Sequence, residues 1–184
     1  MTVTEVMDAI RAGKSLAGEN LSGLDFSGQD LSGADFSGAD LTNCNFDGAN
    51  LSGADVRGAK LDNASMVNTD QTGLHIDANR LLSRIRSGWS LTGVDLSGED
   101  LSGLDLRNAK LRFANLKGCN LQGADLRGAV LNESDMSYAN LRDADFRGAS
   151  LKRANMTRAD RTGAKISIWA MKKVFIAGET AYRS

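Results

Sequence analysis

The run Ala34-Asp35-Phe36-Ser37-Gly38-Ala39-Asp40-Leu41-Thr42-Asn43-Cys44-Asn45-Phe46-Asp47-Gly48-Ala49-Asn50-Leu51-Ser52-Gly53 decides the fold. It is one five-residue phrase said four times: a small residue, Asp or Asn, a large apolar residue, a polar residue, then Gly or Asn. Outward from this run the period never slips. All 20 glycines, from Gly13 to Gly178, stand at positions leaving a remainder of three on division by five. Chance would put about a fifth of them there. The large apolar centres recur at every fifth residue from Leu16 to Met66 and again from Leu91 to Met156. A small residue precedes many centres by two places, as at Ala54, Ala59, Ala109 and Ala114, with Cys44 and Cys119 in the same slot.

A period of five fits neither a 3.6-residue helix nor a two-residue strand. It fits a chain that turns a corner every five residues. Two positions of each phrase, one large and one small, fill a narrow interior, and the other three face water. Gly two places after the centre suits a turn with unusual dihedrals, while Asp or Asn supplies the side-chain oxygen that turns use. Four corners close a square coil of twenty residues. Coils stacked at the strand spacing of about 4.8 Å pair their backbones layer to layer, so each coil is stable only when neighbours cover it.

The phrases Ala34-Asp35-Phe36-Ser37-Gly38, Ala49-Asn50-Leu51-Ser52-Gly53 and Ala124-Asp125-Leu126-Arg127-Gly128 resemble the A-(D/N)-L-x-x pattern of the pentapeptide-repeat family. The resemblance covers residues 16 to 73 and 91 to 163. It implies an all-β solenoid, a right-handed quadrilateral β-helix, and by itself no particular function.

A second symmetry interrupts the first. Val3 to Gly13 aligns with Ala78 to Gly88 and with Ile168 to Gly178, matching Val3/Ala78/Ile168, Val6/Leu81/Met171 and Ile10/Ile85/Phe175. That spacing predicts three short amphipathic helices. Thr2 with Glu5 makes a capping box, and Asp77 and Ser167 stand as N-caps. The expected order is a capping helix over 1–14, a first solenoid over 15–76, a middle helix over 77–89, a second solenoid over 90–166 and a C-terminal helix and tail over 167–184. The middle helix either caps two separate stacks or bulges from one. The similarity of Arg11-Ala12-Gly13-Lys14-Ser15-Leu16 to Arg86-Ser87-Gly88-Trp89-Ser90-Leu91 favours two stacks.

Composition narrows the chemistry. Two cysteines make no disulfide framework or zinc site, and a single histidine, His75, leaves no nucleophile-base-acid set. Cys44 and Cys119 read as small buried apolar residues. The Asp ladder from Asp25 to Asp40 repeats one environment, whereas an acid-base pair needs two different ones. No phosphate-binding glycine motif occurs. Neither catalysis nor any cofactor is expected. No apolar run is long enough for a membrane span, and the first residues lack the features of a secretory leader, so the expected location is the cytoplasm.

Charge is divided. Residues 1 to 75 hold 11 acidic and 4 basic side chains, a balance of -7, and residues 76 to 184 hold 12 acidic and 18 basic, a balance of +6. Arg107, Arg127 and Arg147 are expected to stack beside Asp105, Asp125 and Asp145 as a neutralised face. Arg112, Lys117, Arg142, Lys152, Arg153 and Arg158 lack such regular Asp neighbours in the sequence and are candidates for contact with an anionic partner. Nucleic acid is weakly supported, because only Phe113 and Tyr138 put aromatic rings at outward positions. In the last helix Ile168, Met171 and Phe175 are expected to cover the final coil, leaving Trp169, Val174 and Ile176 on other faces as a partner surface.

The expected function is a non-catalytic scaffold that recognises a protein through its side ladders and end helices. Characterised relatives in the resembling family dimerise through their C-terminal segment, which implies a homodimer here as one option. The quinolone-resistance branch, whose members resemble DNA and bind DNA gyrase, supplies a second reading, although only the first half of this chain is acidic. An adaptor role in bacterial secretion is a third, resting on the short stretch Arg86 to Gly93.

Overall fold

A computed structural model describes residues 1–77 and 90–176 of the chain. They fall into two compact units, Met1–Asp77 and Ala78–Ser184.

Within each unit the five-residue phrase builds the same corner. The Asp or Asn side chain accepts the amide of the residue two places on, as in Ser27 N–H to Asp25 Oδ1 at 3.0 Å and Ser97 N–H to Asp95 Oδ1 at 2.9 Å. The amide after the corner then bonds back to the centre's carbonyl, as in Ala34 N–H to Leu31 O at 3.2 Å. The residue between takes a positive φ, which is why Gly holds that slot. At Gly58 (φ 72°) a Cβ would also meet the backbone of Gly38 at 3.4 Å, so a larger residue there is both strained and crowded.

Parallel bridges join residues twenty apart: Asn20 to Asp40, Asp25 to Asn45 and Asp30 to Asn50 in unit 1, and Ser90 to Lys110 through Asp145 to Lys165 in unit 2. Twenty residues therefore make one coil, and each unit is a right-handed quadrilateral β-helix. Most centres donate their amide to the next coil, as Leu21 does to Asp40 O at 2.9 Å and Leu116 to Asp135 O at 2.7 Å. The centres fill the interior. In unit 1 Phe26, Phe36 and Phe46 are fully buried, with the Phe26 and Phe46 rings stacked at 5.3 Å. In unit 2 Leu dominates, from Leu101 to Leu141. Gln71 occupies a centre slot of unit 1, buried, with its Oε1 lacking a hydrogen bond. A buried, unpaired amide oxygen weakens that coil relative to the leucine usual at such slots.

Helix α1 (Val3–Arg11) has the expected capping box: Thr2 N–H donates to Glu5 Oε2 at 2.7 Å, and Glu5 N–H donates to Thr2 Oγ1 at 3.3 Å. It buries Val6 and Met7. The middle helix expected over 77–89 lies outside the described residues apart from Asp77. The carboxylate of Asp77, expected as an N-cap, accepts the Gly58 amide at 2.6 Å.

The C-terminal segment departs from expectation. Helix α2 is one turn, Ile168–Met171, capped by Ser167, whose Oγ accepts the Ala170 amide at 3.2 Å. The chain then rejoins the ladder: Phe175 bridges Asn155, donates to Ala154 O at 2.8 Å and accepts from Met156 at 3.0 Å. Expected inward, Ile168 is 76% exposed and Phe175 is 58% exposed, whereas Met171, Val174 and Ile176 are half-buried. The reason lies in the five-residue frame. Met171 and Ile176 fall on centre positions and Val174 on the small slot, so the ladder overrides the helical spacing.

Candidate protein-interaction surfaces

The faces of each unit differ in how their charges are satisfied. Along one face of unit 2, each arginine forks onto the aspartate two residues before it. Arg107 Nε and Nη2 reach Asp105 at 2.7 Å each, Arg127 reaches Asp125 at 2.8 and 2.6 Å, and Arg147 reaches Asp145 at 2.9 and 2.6 Å. These pairs are fixed by turn geometry, because the same carboxylate already holds the arginine's own amide. The fork from Arg147 holds the Asp145 carboxyl down at about 2, and that from Arg127 lowers Asp125. An unfolded aspartate titrates near about 3.9. Since the folded value is the lower one, the stabilisation is complete above about pH 4 and is lost as pH falls towards about 2. We expect the melting temperature to drop across that interval in wild type and to drop less in Asp145→Asn, read by thermal circular dichroism. Equal slopes would show that the fork contributes nothing.

The candidate contact residues are placed unevenly. Arg112 and Arg142, read from sequence as lacking acidic neighbours, do have partners: Arg112 Nη2 meets Glu133 Oε1 at 3.0 Å, and Arg142 Nη1 meets Asp160 Oδ2 at 3.3 Å. Both partners sit about one coil on, 21 and 18 residues away, where a linear search for neighbours does not look. Lys117, Lys152, Arg153 and Arg158 form no ion pair among the described residues. Trp169 is 75% exposed, with Lys172 Nζ 5.2 Å from its ring centroid. Val174 and Ile176 belong to the ladder and leave Trp169 as the protruding member of its candidate set.

Two positions carry more than the sequence suggested. Phe113 and Tyr138 hold the corner slot where Gly is usual, each at φ 60°. A left-handed backbone costs an L residue with a large side chain about 1–2 kcal/mol. Both rings nevertheless face outward, 48% and 54% exposed, so burial does not offset that cost. Cations lie over them: the Arg112 guanidinium is 4.5 Å from the Phe113 centroid, and Lys117 and Arg158 are 5.9 and 5.7 Å from that of Tyr138. The sequence did contain a clue, because both residues leave the glycine remainder of three on division by five.

The remaining titratable groups fit the coil. Cys44 and Cys119 are buried in the small slot, with Sγ donating to Leu21 O at 3.1 Å and Leu96 O at 2.7 Å. Burial pushes the Cys119 thiol up to about 12 and raises that of Cys44, so both stay protonated at neutral pH. His75 is half-buried and bridges Asp55 through its backbone. Among the described residues no three His, Cys, Asp or Glu side chains converge as a metal site. No described helix is long and apolar enough to cross a membrane.

A family model described as pentapeptide repeats matches the chain in 8 copies, over residues 20–58, 49–70, 90–123, 111–148 and 134–167. No curated protein matches. Among solved structures, full-length QnrB1, a plasmid-mediated fluoroquinolone resistance protein, is 20% identical over 84% of this chain and 92% of its own, with a TM-score of 0.32. The pentapeptide repeat protein alr5209 from Nostoc Pcc 7120 is 22% identical over 95% of each chain, with a TM-score of 0.28. Rfr23 from the cyanobacterium Cyanothece 51142 is 20% identical over 90% of this chain and 100% of its own, also at 0.28.

Proposed function

The chain belongs to the pentapeptide-repeat family, and from that premise we propose that it is a non-catalytic scaffold, cytoplasmic, that recognises a protein partner through its exposed side ladders. The observation that carries this reading is the set of aromatic rings held outward against cations, Phe113, Tyr138 and Trp169, on a backbone paired coil to coil. Exposed aromatics and arginines are the side chains that dominate protein interfaces, and a rigid scaffold presents them with little ordering cost. The cysteines are protonated and buried, and the aspartates are engaged in turns, which supports a role without chemistry.

A homodimer through the C-terminal segment is a second reading, favoured by the exposure of Ile168, Trp169 and Phe175. Mimicry of DNA towards a topoisomerase such as gyrase asks for acidity on both units, and the basic balance of residues 76 to 184 weighs against it. For the secretion-adaptor reading, residues 86–89 of the stretch that suggested it lie outside the described residues.

The test is a pull-down from bacterial lysate with the intact chain and with a triple variant, Arg142→Ala, Arg153→Ala and Trp169→Ser. Wild type is expected to retain a defined protein set, and the variant to lose at least about tenfold of it at an unchanged melting temperature. Equal recovery by both proteins would remove these residues from the interface. Recovery of a topoisomerase would promote the mimicry reading.

A further inference from the structure

Two adjacent faces of unit 2, centred on Leu111/Leu131/Leu151 and Leu116/Met136/Met156, are built from residues 108–118, 128–138 and 148–158. These stretches hold six Lys or Arg against Glu133 and Asp135. Glu133 is paired with Arg112, and Asp135 keeps its charge while its Oδ1 accepts from the Asn155 side chain at 3.0 Å and the Ser137 amide at 2.9 Å, so the faces stay net positive, six charges against two. The other five, Lys110, Lys117, Lys152, Arg153 and Arg158, form no ion pair among the described residues, and Lys117 and Arg158 lie 5.9 and 5.7 Å from the Tyr138 ring centroid. Glycine would fill the Phe113 and Tyr138 corners without strain, and the exposed cation–ring contacts offset only part of that cost.

Unit 1 carries the complement. Its faces centred on Phe26/Phe46/Met66 and Leu31/Leu51/Gln71 comprise residues 23–33, 43–53 and 63–73, which contain no Lys or Arg. They display Asp25, Asp30, Asp47 and Asp70, and beside these carboxylates Val67 is 59% exposed. Acidic side chains around an exposed aliphatic group thus answer basic side chains around exposed rings. Both surfaces are regular parallel ladders of the same twenty-residue repeat, so their side chains recur at matching intervals.

We propose that the basic, aromatic faces of unit 2 dock the acidic faces of unit 1 in a second copy of the chain. The inference deepens the scaffold reading and rests on it. A contact between unlike surfaces is heterologous, and its strength falls as salt screens the charges.

The experiment is sedimentation velocity on the full chain at about 20 mM and about 500 mM salt. Wild type is expected to exceed monomer mass at low salt and to return to monomer at high salt. Phe113→Asn with Tyr138→Asn relieves the strained corners, so it should melt no lower than wild type and should weaken association at least about tenfold. Two charge-reversed chains make the decisive arm. One carries Lys117→Glu, Arg153→Glu and Arg158→Glu, and the other carries Asp25→Lys, Asp30→Lys and Asp70→Lys. Lysine is tolerated in that Asp slot, as Lys60 and Lys110 show by their bridges to Asp40 and Ser90. Each chain alone should be monomeric, while an equimolar mixture, which retains one intact surface of each kind, should associate.

A wild type that stays monomeric at low salt overturns the proposal, as does association that the charge reversals leave unchanged. So does association abolished by Trp169→Ser and kept by the reversals, which assigns the contact to the C-terminal segment. Should the wild type be monomeric yet capture a different acidic protein through Phe113 and Tyr138, the second copy is excluded and the scaffold reading stands. No self-association and no captured protein would defeat both.

Discussion

Leu126→Asp is expected to unfold the second unit. Leu126 is fully buried at a centre slot; its amide donates to Asp145 O in the next coil at 2.8 Å, and its carbonyl accepts the Ala129 amide of its own corner at 3.0 Å. The substitution removes roughly 1.5–3 kcal/mol of apolar burial. It also places a carboxyl among Leu106, Phe146 and the other buried centres, where the interior is apolar. Even neutralised by an upward shift of its pKa, an unpaired carboxyl costs about 1–3 kcal/mol more. The sum, about 2.5–6 kcal/mol, is comparable at its upper end with the whole stability of a small domain. Because coils are stable only when covered, the loss should spread from the altered layer to those on either side. Circular dichroism should show a lost β signal, and hydrogen exchange should show lost protection from Leu101 to Met156. A wild-type melting temperature would mean that this position does not face inward.

The second large effect is at Phe26. Its ring lies 5.3 Å from that of Phe46 and 6.4 Å from that of Phe36, and it is fully buried. Phe26→Ala leaves a cavity that paired coils have little freedom to close, so the expected loss is about 3–5 kcal/mol. Phe26→Leu should cost much less, under about 1.5 kcal/mol, because leucine fills the same slot in Leu21 and Leu31 and the change in volume is small. Urea unfolding of the two variants separates the cases. If alanine and leucine cost the same, refilling the slot with apolar volume recovers nothing, and the loss belongs to the stacked rings themselves.

The repeat was legible because one phrase encodes one corner. Gly in the remainder-three slot, Asp or Asn before the centre and a small residue before that are each local requirements, and each was readable at Gly38, Asp35 and Ala34. The capping box of Thr2 and Glu5 is equally local. The C-terminal segment shows where local reading misled. Ile168, Met171 and Phe175 have helical spacing, but the backbone offered by Ala154 and Met156 captures Phe175 into the ladder and ends the helix after one turn. Had the five-residue frame been carried past Met156, it would have placed Met171, Val174 and Ile176 as the structure does.

The candidate surfaces were less legible, because contacts across coils join residues about twenty apart. Sequence neighbours give no hint that Glu133 meets Arg112 or that Asp160 meets Arg142. Nor do they show that Lys117 and Arg158, far apart in the chain, converge on the Tyr138 ring. By itself the sequence determined the corner, the interior and the division of charge, since these depend on each residue's own dihedral preference, polarity and ionisation. Only the tertiary structure decided which cations are neutralised, which of them lie over the outward rings and where the last helix stops. Those outcomes depend on what the adjacent coil places within hydrogen-bonding distance.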